Sequence, residues 1–192
     1  MENIQYLQPA MQVFWQHGYE GTNFHQLVEA TGLSRKSIYK KWGDKAGLFA
    51  HSLALYSQLM TAQNLKPLLA ADGTGLPAVK DFFKMFKNYL QADAPMLGCL
   101  VVKTLAEMGS HNAEINKISF EFLGKVKTGL NHSLQIARKK GQLKPGADTA
   151  QAVEFLFAVH CSLGGLASNQ LTHPLLLSMV TQVENYLDQM SV

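Results

Sequence analysis

Apolar residues recur at three- and four-residue intervals from one end of this chain to the other. Nowhere does a run alternate with the period of two that a half-buried strand requires. That pattern restricts the fold to packed helices. Leu7, Met11 and Phe14 share one helix face, and Gly18 is placed to end that helix at about His17. A short second pattern, Phe24, Leu27 and Val28, follows Thr22 or Asn23 as N-cap and stops at Gly32. Ser34 caps a third helix bearing Ile38, Tyr39 and Trp42 on one side. Gly43-Asp44 breaks it, and Asp44 caps a longer helix carrying Leu48, Phe49, Leu53, Tyr56 and Met60.

Pro67 and the stretch from Ala71 to Gly75 punctuate the chain, and Pro77 suits the first turn of a helix with Phe82, Phe83, Phe86, Tyr89 and Leu90. Further helices are expected from about Pro95 to Met108 and from about Ala113 to Lys140. After a loop at Gly141 and Lys144-Pro145-Gly146, Asp148 or Thr149 caps a helix to about Ser168, and the last runs from Pro174 to Gln189. The chain therefore reads as all-α with about nine helices. A small N-terminal domain over residues 1–48 precedes a larger helical domain over 49–192.

With 47% hydrophobic residues the chain can bury a substantial core, which excludes a disordered tail or a fibre. The N-terminus has neither the basic nor the apolar segment of a signal peptide. The longest stretch without Asp, Glu, Lys or Arg, Phe155 to Val183, contains His160, Asn169, Gln170, His173 and Pro174. Its apolar run from Phe155 to Ala167 is shorter than the roughly 20 residues a bilayer needs. Two well-separated cysteines without an export signal fit reduced thiols, so a cytoplasmic protein with no membrane partner is expected.

The net charge of +3 is small, but its distribution is not even. Residues 1–33 have no Lys or Arg and a net charge of −3, whereas Ser34 to Lys45 carries Arg35, Lys36, Lys40, Lys41 and Lys45 against Asp44 alone, a net +4. A basic run is often only a solvated face. Here it lies on the second of two short helices joined at Thr31-Gly32-Leu33, which makes a helix-turn-helix over about residues 23–42. Such a helix fits the DNA major groove, where phosphates attract cations and base edges carry the sequence.

The stretch from Gly18 to Phe49, with Gly18-Tyr19, Thr22, Ala30-Thr31-Gly32-Leu33-Ser34, Tyr39, Trp42, Asp44-Lys45 and Leu48-Phe49 in register, resembles the DNA-binding domain of TetR-family (tetracycline-repressor-like) regulators. Gly98-Cys99-Leu100-Val101 and the segment from Ala137 to Asp148 also look familial. The resemblance implies a recognition helix over Ser34 to Trp42. Arg35, Lys36, Ser37 and Lys40 then face base edges or nearby phosphates, and Thr22, Tyr39 and Lys45 bind phosphate; Ser34 completes the expected DNA-binding set. Trp42 is expected in the core. Unlike many members, this chain has no basic residue before Arg35, which argues against an N-terminal arm in the minor groove.

The resemblance further implies a homodimer on a palindromic double-stranded DNA operator, with a small-molecule effector inside the larger domain. Phe82, Phe86, Tyr89, Cys99, Leu105, Phe120 and His160 are the expected pocket residues, and their apolar character suits a hydrophobic or aromatic ligand. The penultimate helix is apolar nearly all round, so a second subunit is expected against the last two helices through Leu163, Leu166, Leu176, Val180, Val183 and Leu187, with Gly164-Gly165 allowing close approach. The implied function is a sequence-specific transcriptional regulator, a repressor released by its ligand.

Two alternatives remain open from sequence: a redox or electrophile sensor acting through Cys99, whose thiol sits near a helix start, and a small-molecule binding protein that does not bind DNA. No catalytic residues, metal site or cofactor are expected. There is no paired-His or Cys-x-x-Cys spacing, and Gly73-Thr74-Gly75 with Ala78 has no strand before it.

Overall fold

A computed structural model of the chain describes residues 3–92, 96–108 and 112–192. The described residues form α1 (Ile4–His17), α2 (Phe24–Thr31), α3 (Arg35–Trp42), α4 (Lys45–Met60), a π-turn (Thr61–Leu65) and the short α5 (Lys66–Leu69). They continue as α6 (Leu76–Gln91), α7 (Leu100–Met108), α8 (Ala113–Lys139), α9 (Thr149–Leu166) and α10 (His173–Met190). No strand is present among them; an isolated antiparallel bridge joins Leu143 to Ser191. The fold is the all-α one expected.

The helix ends follow from local chemistry. Asn23 accepts from the Gln26 N–H while Gln26 reaches back to the Asn23 N–H, a complete capping box for α2. Gly32 closes α2 in the left-handed region, and the Ser34 hydroxyl accepts from the Ser37 N–H to open α3. Asp44 accepts from the Gly47 N–H at the start of α4, and Asp148 from Ala150 and Gln151 at the start of α9. The helix expected from about Pro95, a residue outside those described, starts at Leu100. Gly98 has φ +72°, and a Cβ there would meet the Gly164 carbonyl oxygen at 2.4 Å, so the chain enters α7 only after this close crossing.

The chain divides into two compact units, Met1–Met60 with Cys99–Phe122, and Thr61–Gly98 with Leu123–Val192. In the first, α1 packs on α2 and α4, α3 on α4, and α7 on α4. Phe14, Leu27, Ile38, Leu48, Phe49 and Leu53 are fully buried, with the Phe14 and Phe49 rings edge to face at 4.8 Å. Trp42 belongs to this core, 7% exposed. Burial of each large side chain contributes about 1.5–3 kcal/mol. In the second unit α10 packs on α6 and α9, tied by Lys80–Asp188 and Lys87–Glu184 ion pairs.

Candidate nucleic-acid interface

The cations of α3 sit on its outer face because Ile38 and Trp42 turn the other face inward. Arg35, Lys36, Tyr39 and Lys40 are exposed, and Ser37 is half-buried. Arg35 is not a loose side chain. Its guanidinium lies 4.5 Å from the Phe24 ring centroid, that ring stacks on Tyr39 at 5.2 Å, and Arg35 Nη2 donates to the Tyr39 hydroxyl at 3.4 Å. These contacts hold a planar five-donor fork at the start of α3, a group able to bond a guanine edge bidentately. Lys45 Nζ rests 4.4 Å over the Tyr19 ring, and Lys41 Nζ donates to the Asn3 side chain at 3.3 Å. Burial, with Asp44 and Glu20 adding to it, raises the Tyr19 hydroxyl above its usual pKa and keeps it a neutral donor.

Two of the residues expected at DNA already make hydrogen bonds within the chain. Thr22 is 1% exposed and its hydroxyl donates to the Gly18 carbonyl at 2.6 Å, so its proton is already used inside the headpiece. Ser34 caps α3 and pairs with the Ser37 hydroxyl at 2.9 Å. Sequence reasoning had not singled out Phe24, which read as plain core, or Asn3. It also missed Glu107, whose carboxylate accepts from the Tyr19 and Glu20 N–H groups at 2.8 Å each. An exposed Glu late in a helix carries no sequence signal of a contact 87 residues away.

The expected pocket set divides. Phe82, Phe86 and His160 come together in the second unit, the His160 ring centroid 5.4 Å from Phe82 and 5.6 Å from Phe86. Neither ring nitrogen of the buried His160 has a hydrogen-bond partner among the described residues, and burial lowers its pKa to about 4. Tyr89 and Phe120 are instead 51% and 64% exposed, against the expectation that they line an interior pocket. Cys99 and Leu105 lie in the first unit. Cys99 is buried beside the Tyr56 hydroxyl, and desolvation raises its thiol pKa despite offsetting hydrogen bonds. A thiol held protonated is a poor nucleophile, so the sensor alternative is not favoured.

The expected dimer residues differ in exposure within the single chain. Leu163, Leu176, Val180, Val183 and Leu187 are fully buried within their own chain; of the six, only Leu166 is exposed, at 44%. The Gly164 carbonyl oxygen lies against Gly98 of the same chain, so the close approach at this point is an internal one that needs residue 98 to be small.

Comparison with known proteins agrees with this architecture. Residues 7–51 match the family model "Bacterial regulatory proteins, tetR family", and residues 75–173 match "Tetracyclin repressor-like, C-terminal domain". The HTH-type transcriptional repressor ComR of Escherichia coli (strain K12) is 28% identical over 162 residues, 84% of this chain and 75% of ComR. Among solved structures, a cysteine mutant of the TetR-family regulator CifR in complex with a 26-bp operator superposes with a TM-score of 0.78 at 25% identity, covering 97% of this chain and 95% of that one. Reduced E. coli NemR gives a TM-score of 0.81 at 15% identity, over 98% and 95% of the two chains, a likeness of fold.

Proposed function

The chain belongs to the TetR family of bacterial regulatory proteins and is a DNA-binding transcriptional regulator, and from that premise we propose that it is a homodimeric repressor released from a palindromic operator by a small, uncharged aromatic ligand. The observation that carries the DNA side is the braced Arg35 on an exposed, strongly cationic α3. In this reading Arg35, Lys36, Ser37 and Lys40 address base edges and adjacent phosphates, whereas Tyr39 and Lys45 hold the backbone. Ser34 serves by setting the start of α3. One headpiece covers few base pairs, so two half-sites about one helical turn apart supply the specificity. The protein then works where the DNA is, in the cytoplasm.

The ligand class rests on His160. An uncharged imidazole beside two Phe rings, with neither nitrogen partnered among the described residues, offers one donor and one acceptor to a ligand that stacks and hydrogen-bonds. Release requires only that the ligand bind the DNA-free state more tightly than the DNA-bound one.

The test is selection from random duplex DNA, followed by binding of the winning duplex at several salt concentrations. Arg35→Ala is expected to relax base preference at one position per half-site. Lys45→Ala weakens all sequences alike and lowers the log–log salt slope by about 1. Equal loss of preference in both variants overturns the division of roles. Neutral phenols and heteroaromatics are then screened for dissociation of that duplex. His160→Phe should keep DNA binding and lose release; release by carboxylates or amines alone overturns the ligand class.

A further inference from the structure

α7 grips the end of α1 with two side chains one helical turn apart. Lys103 Nζ donates to the Trp15 carbonyl at 2.9 Å, inside the last turn of α1. Glu107 meets the first two peptide N–H groups beyond the helix cap, those of Tyr19 and Glu20, at 2.8 Å each. One carboxylate thus receives two charge-assisted bonds from consecutive residues. The approach is possible because residue 18 is glycine. Its φ of +75° turns both N–H groups toward α7, and a Cβ would lie 2.8 Å and 2.9 Å from the two Glu107 oxygens.

What this grip holds leads straight to the candidate DNA contacts. The Tyr19 ring carries the Lys45 ammonium, 4.4 Å from its centroid. The Gly18 carbonyl takes the buried Thr22 hydroxyl, at 2.6 Å, one residue before the Asn23 cap of α2. Displacing the Gly18–Glu20 turn therefore displaces the support under Lys45 and the start of the helix that braces Arg35 through Phe24.

We propose that Glu107 is a positioning residue for DNA recognition: from α7, through the Tyr19 and Glu20 amides, it holds the α1–α2 turn in the geometry that operator binding needs. This rests on the DNA-binding reading above and adds to it a residue outside the helix-turn-helix.

The sign of the effect separates this role from electrostatics. Removing an acid from a DNA-binding protein raises its positive charge, which by itself tightens binding to a polyanion. Positioning has the opposite consequence. Glu107→Gln keeps one acceptor oxygen but turns an amide donor toward the second N–H, and is expected to weaken binding of the duplex selected by the wild type about tenfold, about 1.4 kcal/mol. Its salt slope should fall by less than that of Lys45→Ala, because the Lys45 ammonium is shifted rather than removed. Hydrogen exchange at the Tyr19 and Glu20 amides should accelerate in the variant without DNA, while core amides of α4 keep their protection.

A second substitution guards against a trivial folding defect. Gly18→Ala obstructs the same contact from the other side, so its cost to DNA affinity should be smaller in a Glu107→Ala background than in the wild type. Equal or tighter operator binding by Glu107→Gln, unchanged exchange at the two amides, or strict additivity of the pair would each overturn the proposal and leave the DNA-binding reading standing. A wild-type protein that selects no sequence would overturn both.

Discussion

Burying an imidazole beside Phe82 and Phe86, with no hydrogen-bond partner among the described residues, gives His160 a thermodynamic signature that can be measured without knowing any ligand. Desolvation lowers its pKa from 6.5 to about 4 in the folded chain, so folding favours the neutral ring. Above pH 6.5 the ring is neutral in both states and there is no penalty. As the pH falls toward 4 the unfolded chain takes up a proton that the folded chain refuses, and stability is lost. Between pH 7 and pH 5 this one residue should account for about 2 kcal/mol of lost stability, seen as a steeper fall in urea midpoint for wild type than for His160→Phe. Parallel pH profiles would show that the ring is solvated or partnered. In the sequence, His160 joins the two Phe residues only through the effector pocket that the family resemblance implies. The sequence could not show that Tyr89 and Phe120, in equally aromatic settings, face outward, because periodicity marks a side without saying what covers it.

At the scale of the helix, the headpiece was legible almost residue by residue, because short helices depend on caps and caps are local. Asn23, Ser34 and Asp44 each accept the backbone N–H three residues on, where sequence had left Thr22 and Asn23 as alternatives for the first. The complete box at Asn23 decides that choice, and it frees Thr22 to turn inward to Gly18. Asn23→Ala should therefore cost about 1 kcal/mol and lower the melting temperature by a few degrees, checked by calorimetry. It should also weaken DNA binding, since α2 carries the Phe24 platform under Arg35. An unchanged melting temperature would mean that α2 is held by packing alone. What sequence could not show at this scale was any pairing between distant elements. The start of α7 at Leu100 depends on Gly98 meeting Gly164, and the role of Glu107 depends on α7 reaching the α1–α2 turn. Both involve residues whose local patterns look ordinary.

At the scale of the whole molecule, the proposed dimer needs a surface that joins two copies. Of the six residues expected there from the apolar spacing of α9 and α10 and the family resemblance, Leu163, Leu176, Val180, Val183 and Leu187 are buried in the chain's own core and Leu166 is exposed. A period of 3.6 reports burial and cannot distinguish a neighbour in the same chain from one in another. The apolar residues left outside on the same two helices are Phe155, Leu166 and Leu175, at 38%, 44% and 56% exposure, and Phe155 packs against Tyr186 with centroids 4.8 Å apart. These three exposed side chains, with the half-buried Tyr186, are the candidate patch for association, which a second copy would cover isologously. Leu166→Glu places a charge in that patch and should convert a dimer into a 21.2 kDa monomer by sedimentation, with an unaltered circular dichroism spectrum. Because each headpiece alone sees only a half-site, the monomer should bind the selected palindrome more than about 100-fold more weakly. Leu187→Ala, inside the core, should do the reverse: about 2–5 kcal/mol of stability lost, with association unchanged while the protein stays folded. If Leu166→Glu remains a dimer at micromolar concentration while Leu187→Ala dissociates before it unfolds, the seam runs through the buried set after all, and the chain must repack α9 and α10 when it pairs.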